Sequence, residues 1–138
     1  MYDTIKTKLA GMLEASGYAE SSRVDDFKNA PALEAESSYI LKFLSGGLVE
    51  ANQRFNNTAR DTQEWQVQIA FSRSELNDRV QRDEACRAKD ALISKLDNPV
   101  NWEGGAFIIH YQDSLIDELK DYFALIITFE VIDSITYT

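Results

Sequence analysis

The chain is poor in the residues on which most reactive or covalently stapled small proteins depend. Its 138 residues include one cysteine, Cys86, and one histidine, His110. A lone cysteine excludes an internal disulfide, which fits a reducing compartment. One Cys and one His cannot supply the three or four ligands of a structural zinc site. Any Ser-His-Asp or Cys-His nucleophile would have to use His110, which sits among apolar neighbours in IIHYQ and reads as a packed or surface strand residue. Cys86 lies beside alanines in a helical stretch and reads as a small core residue. The pairs Gly46-Gly47 and Gly104-Gly105 lack the lysine of a phosphate-cradling loop and read as strand punctuation. No run approaches about 20 apolar residues, so no membrane-spanning helix is expected. The opening stretch MYDTIKTKLAGMLEASG has neither the apolar core nor the cleavage pattern of a signal peptide.

Base is also in short supply. Fourteen Lys and Arg stand against 23 Asp and Glu, a net charge of −9. That argues against a protein whose main task is to grip nucleic-acid phosphates. The imbalance is concentrated at one end: from Asp97 to Thr138 there is one base, Lys120, against eight acids, −7 of the total.

What is present is enough for a folded core. Hydrophobic residues are 44% of the chain and aromatics 11%, and the length suits one domain spanning residues 1–138. The dominant stretch is Tyr122 to Asp133, YFALIITFEVID. Phe123, Leu125, Ile127, Phe129 and Val131 occupy alternate positions and point to one face of an extended strand. Burying those five would contribute roughly 8–15 kcal/mol, at about 1.5–3 each. The other face, Tyr122, Ala124, Ile126, Thr128 and Glu130, is mixed, and can be wet or meet another subunit.

Along the chain, residues 3–16 read as an amphipathic helix with Ile5, Leu9, Met12 and Leu13 on one face, Asp3 as its cap, and Gly17 at the left-handed position that ends it. Residues 18–37 read as irregular, with Val24 and Phe27 as single anchors. Tyr39, Leu41 and Phe43 alternate in a first strand ending at Gly46-Gly47. Leu48 to Asp61, rich in Asn and Gln, reads as a long hairpin arm or loop, in which Arg54 and Arg60 are candidates for meeting DNA or an acidic neighbour. Trp65, Val67, Ile69 and Phe71 mark a second strand. A helix follows from Asp78 to Leu96, introduced by Ser72 or Ser74, with Ala85, Ala88, Leu92 and Leu96 inward and Arg79, Arg82, Arg87 and Lys89 mixed with acids outward. Asn98-Pro99 stops it. AFIIHYQ is a third strand, and Asp113 to Asp121 connects it to the fourth, with a helical turn capped by Ser114. The expected fold is α+β, a mainly antiparallel four-stranded sheet with two helices packed on one face, in the order α-β-β-α-β-β.

Asp113, Asp117, Glu118 and Asp121 lie within nine residues. Their spacing does not match the twelve-residue calcium loop, and no glycine makes its turn. No catalytic residue, metal site or cofactor is expected.

The sequence of elements, an opening helix, a hairpin with a long arm ending in EWQVQIAF, an Ala- and Arg-rich helix, and a closing hairpin ending in DYFALIITFEVID, resembles the tail terminator (tail-to-head joining) proteins of long-tailed bacteriophages over the whole chain. The resemblance implies a structural, non-enzymatic protein. It implies a homo-oligomeric ring, a hexamer in that family, that caps the tail tube, ends its polymerisation and meets the head connector or stopper protein. DNA passes through the lumen without specific binding. The location so implied is the neck of the virion, after synthesis in the host cytoplasm, with no membrane partner. For a head-to-tail ring interface, the candidates are Arg54, Arg60, Arg82, Arg87, Tyr122 and Ile126. The alternatives are another neck component, such as a head-completion or stopper protein, a soluble small-molecule or protein-binding module with one apolar pocket, and a small hydrolase using Asp113 and Asp117.

Overall fold

A computed structural model describes residues 2–21, 27, 38–49, 58–73, 76–102 and 107–136. The elements are α1 (Tyr2–Ala15), β1 (Ala19–Glu20), β2 (Ser38–Val49), β3 (Thr58–Ser72), α2 (Asp78–Asp97), a short 3-10 turn (Pro99–Trp102), β4 (Phe107–Glu118) and β5 (Tyr122–Thr136). The class is α+β as expected, and both helices are where their periodicity put them. The sheet, however, has five strands and is mixed, in the order β1-β2-β3-β5-β4. The added strand is the two-residue β1, parallel to β2 through Ala19–Ser38 and Glu20–Tyr39. Two residues are too few to carry an alternation, so the stretch read as irregular.

Helix α1 buries Ile5, Leu9, Met12 and Leu13. It starts one residue earlier than expected, so Asp3 lies in its first turn, where a carboxylate favours the positive helix end. Gly17 has φ +94°, and Tyr18 N–H donates to the Leu13 carbonyl at 3.1 Å, closing the helix as the glycine required. Helix α2 buries Ala85, Leu92 and Leu96, and its preceding residue, Asn77, makes no side-chain cap bond. Neither expected cap fills that place: Ser72 ends β3, and Ser74 lies outside the described residues. Trp102 folds back under the helix end, donating from Nε1 to the Leu96 carbonyl at 2.8 Å.

The main core lies between the two helices and one sheet face. All five alternating residues of β5 reach it, none more than 2% exposed. They pack with Trp65, Val67, Ile69 and Phe71 of β3 and with Tyr39 of β2. A second, smaller cluster sits on the opposite face, where Phe27 covers Ile40, Ala70, Tyr122 and Ala124. Phe27 is thus the anchor expected of it, while Val24 is outside the described residues.

Three strands outrun their sequence signal. β2 continues through Gly46-Gly47 to Val49, and β3 begins at Thr58, so the two ends of the supposed arm, 48–49 and 58–61, are ladder. Residues 50–57, Arg54 among them, lie outside the described residues. β4 runs unbroken to Glu118, and the helical turn expected after Ser114 is strand. Both β2 and β4 contain a register shift, between Phe43 and Ser45 and between Tyr111 and Asp113. Each inserts one extra residue, Leu44 or Gln112, which swaps the face of everything beyond it. In β4 the helix-side residues are Phe107, Ile109 and Tyr111 before the bulge, then Ser114, Ile116 and Glu118 after it. The alternation changes phase at Gln112, and so the strand looked finished.

Candidate functional site

Register carries side chains into rows that cross the sheet. On the helix side, Phe43, Trp65, Phe129 and Tyr111 form one row over β2, β3, β5 and β4. Trp65 is buried, and Tyr2 of α1 stacks on it at 5.2 Å, with the Phe43 ring edge-on at 5.6 Å. The two row ends, Phe43 and Tyr111, are 44% and 38% exposed. The sheet therefore shows aromatic surface at both outer strands.

The opposite face holds no α-helix among the described residues. Away from Phe27 it carries two polar rows. One runs Lys42, Gln66, Thr128, Asp113, and Gln66 donates to Thr128 at 3.4 Å. The next runs Ser45, Glu64, Glu130, His110. Asp117 shares this face, opposite Ala124. Four carboxylates, Glu64, Glu130, Asp113 and Asp117, thus look out from one side of the sheet, together with exposed Ile108 and Leu115. Two like charges opposed across a ladder, as Glu64 and Glu130 are, disfavour folding slightly. Glu118 falls on the helix side instead, and Arg82 meets it at 2.8 Å.

The interface candidates separate. Arg82 pairs with Glu118 and Arg87 with Glu84, each at 2.8 Å, so both arginines are engaged within the chain. Arg60 lies in β3, opposite Val49 and Ser134. Tyr122 is 2% exposed under the Phe27 cluster and offers no free surface as placed. Ile126 is half-buried at the border of that cluster. Cys86 is a correction: it is exposed, not a core residue. The helix turns about 100° per residue, so the position after buried Ala85 rotates off the sheet. His110 is an exposed strand residue, one of the two readings made for it.

One organising residue carries no sequence signal. Arg73, just after β3, donates to Asp78 at 2.9 Å and to the Leu119 carbonyl at 2.6 Å, and lies 4.7 Å from the centre of the Phe123 ring. It ties the start of α2 to the β4–β5 turn, and the hydrogen bond to Asp78 holds its guanidinium more firmly protonated than usual. Burial, reinforced by a hydrogen bond to Glu14 at 3.1 Å, raises the Tyr39 phenol above its ordinary value. Burial also raises Tyr18, with the charge of Glu84 adding to it.

No group of three or more His, Cys, Asp or Glu side chains converges as a metal site among the described residues. Two open cavities lie among the described residues. One, of about 220 Å³, lies beside Leu96, Trp102 and Phe107; the other, of about 310 Å³, lies between Lys8, Met12, Lys95 and Asn101. Neither gathers a pair of acids. No helix among the described residues is long and apolar enough to cross a membrane. The sequence matches no protein-family model and no curated protein.

Proposed function

We propose that this chain is a structural protein of a tailed-phage neck. In this reading copies form a ring, a hexamer by family resemblance, that caps the tail tube, ends its growth and joins it to the head connector. The observation that supports it is the division of the sheet: two helices on one face, and Glu64, Asp113, Asp117 and Glu130 on the other. A ring with helices outward and the polar face inward has a carboxylate-lined lumen. Phosphates are repelled by such a wall, so DNA slides through without adhering. The C-terminal acid surplus then has a physical task, which a merely solvated surface would not require. The protein performs no chemistry in this role and resides in the virion.

Negative-stain microscopy tests the reading. The purified chain, mixed with tail tubes that lack their cap, is expected to appear as a ring at one end of each tube and to halt elongation. Binding to filled heads instead would make it a stopper protein. Binding to neither would end the neck assignment.

A further inference from the structure

Helix α2 has an exposed apolar knob just before its first turn and an apolar cleft beside its last. Asn77 stands at the cap position, and its carbonyl accepts from the Gln81 N–H at 2.9 Å. A hydrophobic residue ahead of the cap often packs on the fourth residue of its own helix. That fourth residue is Gln81, and Leu76 is 99% exposed, with Val80 at 60%. At the other end, Leu96, Trp102, Phe107, Ile108 and Ile109 line the open cavity of about 220 Å³, and Asp97 stands at its rim. A single exposed leucine is ordinary. A knob and a cleft at opposite ends of one helix are a complementary pair of surfaces.

The charges match as well. Arg79 lies in the first turn of α2, at the positive end, and Asp97 closes the last turn, at the negative end. Each is the charge that its own helix end disfavours. Neither side chain has a hydrogen bond or ion pair among the described residues. We propose that the cleft holds Leu76 of a second copy, so that the start of α2 in one chain meets the end of α2 in the next. Arg79 then faces Asp97 of the neighbour, and the two helix dipoles follow one another with unlike ends together. This joint rests on the ring reading above for its repeated head-to-tail sense.

A chain cannot fill its own cleft, because the 20 residues of α2 hold knob and cleft about 30 Å apart. Both surfaces are fixed before they meet. Arg73 ties the start of α2 to the β4–β5 turn, and Trp102 is bonded to the Leu96 carbonyl at the other end. Such preorganisation lowers the cost of association. The two patches differ, so the contact is heterologous and repeats from copy to copy. It closes into a ring when the rotation at each joint completes a circle. Glu64, Glu130, Asp113 and Asp117 take no part in it, and the acid face of the sheet stays open.

Mixing two complementary variants tests this. Leu76→Asp removes the knob, and Ile108→Glu sets a charge in the cleft. Both positions are at least half exposed, so the fold is expected to survive, with circular dichroism as the check. In sedimentation across a concentration series the wild-type chain is expected to grow beyond dimers. Each variant alone should self-associate at least about tenfold more weakly. An equimolar mixture should regain the wild-type affinity and stop at a dimer, which has one intact knob in one intact cleft. A mixture no tighter than its parts overturns the joint, as does a wild-type chain that stays monomeric or stops at a dimer. Charge exchange gives a second measurement. Arg79→Asp and Asp97→Arg should each weaken association while leaving the unfolding midpoint of the monomer equal or higher, since both changes favour the helix dipole. The two together should restore association; a double variant weaker than either single one overturns the proposal. Association through this joint without capping of tail tubes keeps the joint and removes the neck reading. Capping that survives Leu76→Asp does the reverse.

Discussion

Trp65 and Phe129 face each other across the two central strands, and both outer strands slip register beside that pair. β2 bulges just after Phe43, on one side of the row, and β4 just after Tyr111, on the other. The inner strands stay in phase for their whole length, 15 paired positions from Thr58–Thr136 to Ser72–Tyr122. The rigid centre is thus a two-stranded ribbon, and the irregularity is confined to its flanks, where bulges twist and protect edges.

Trp65 is the keystone of the row. It is 1% exposed, and its Nε1 donates to Gln63 Oε1 at 2.9 Å. Trp65→Ala should destabilise the chain by about 3–5 kcal/mol in urea titration. Trp65→Phe should cost about 1–3 kcal/mol, because the buried Gln63 carbonyl loses its donor. If the two variants unfolded at the same midpoint, the ring would contribute nothing beyond the hydrogen bond, which both variants lose.

The Tyr39 phenol gives a pH signature. Its ring is fully buried, and its folded-state value lies above the ordinary 10.0, by burial first and Glu14 second. Below pH 10 both folded and unfolded states keep the proton, and this group's contribution is constant. Above pH 10 the unfolded state ionises first and binds fewer protons, so stability falls as pH rises. Tyr39→Phe should flatten part of that alkaline decline, and phenolate absorbance should lose one late-titrating tyrosine. Tyr18 adds a slope of the same sign.

Gln112 is the extra residue that the β4 bulge sets outside the alternation. Deleting it should leave Ile116 and Glu118 on the helix side and keep the Arg82–Glu118 pair, because Tyr111 and Asp113 already pair with the consecutive Phe129 and Thr128; the shift in urea titration should stay within about 1 kcal/mol. In the unaltered chain, hydrogen exchange over residues 113–118 should alternate, since an edge strand bonds its single neighbour through every second amide. Uniform protection would restore the helical turn that the sequence suggested.

Arg82 and Arg87 are expected to be bystanders. Their partners Glu118 and Glu84 are exposed, and such pairs contribute about 0–1 kcal/mol. Reversing either charge should shift the unfolding midpoint little and leave assembly intact. Loss of assembly on Arg87→Glu would return the outer face of α2 to the list of interfaces.

The sequence by itself determined the two helices, the core face of β5 and the inward set of β3, because unbroken periods of 3.6 and 2 report burial directly. It also located the excess of acid and the scarcity of reactive groups. Where the period broke, it misled: one inserted residue, Leu44 or Gln112, inverts the alternation, and a two-residue strand has none to show. Only the tertiary structure decided that Cys86 lies in solvent, that Tyr122 is covered by Phe27, that Arg73 clamps two distant turns, and that Lys42 and Asp113 end the same row on opposite edges. Those are contacts between segments far apart in the chain, set by strand register and order, and no local pattern encodes them.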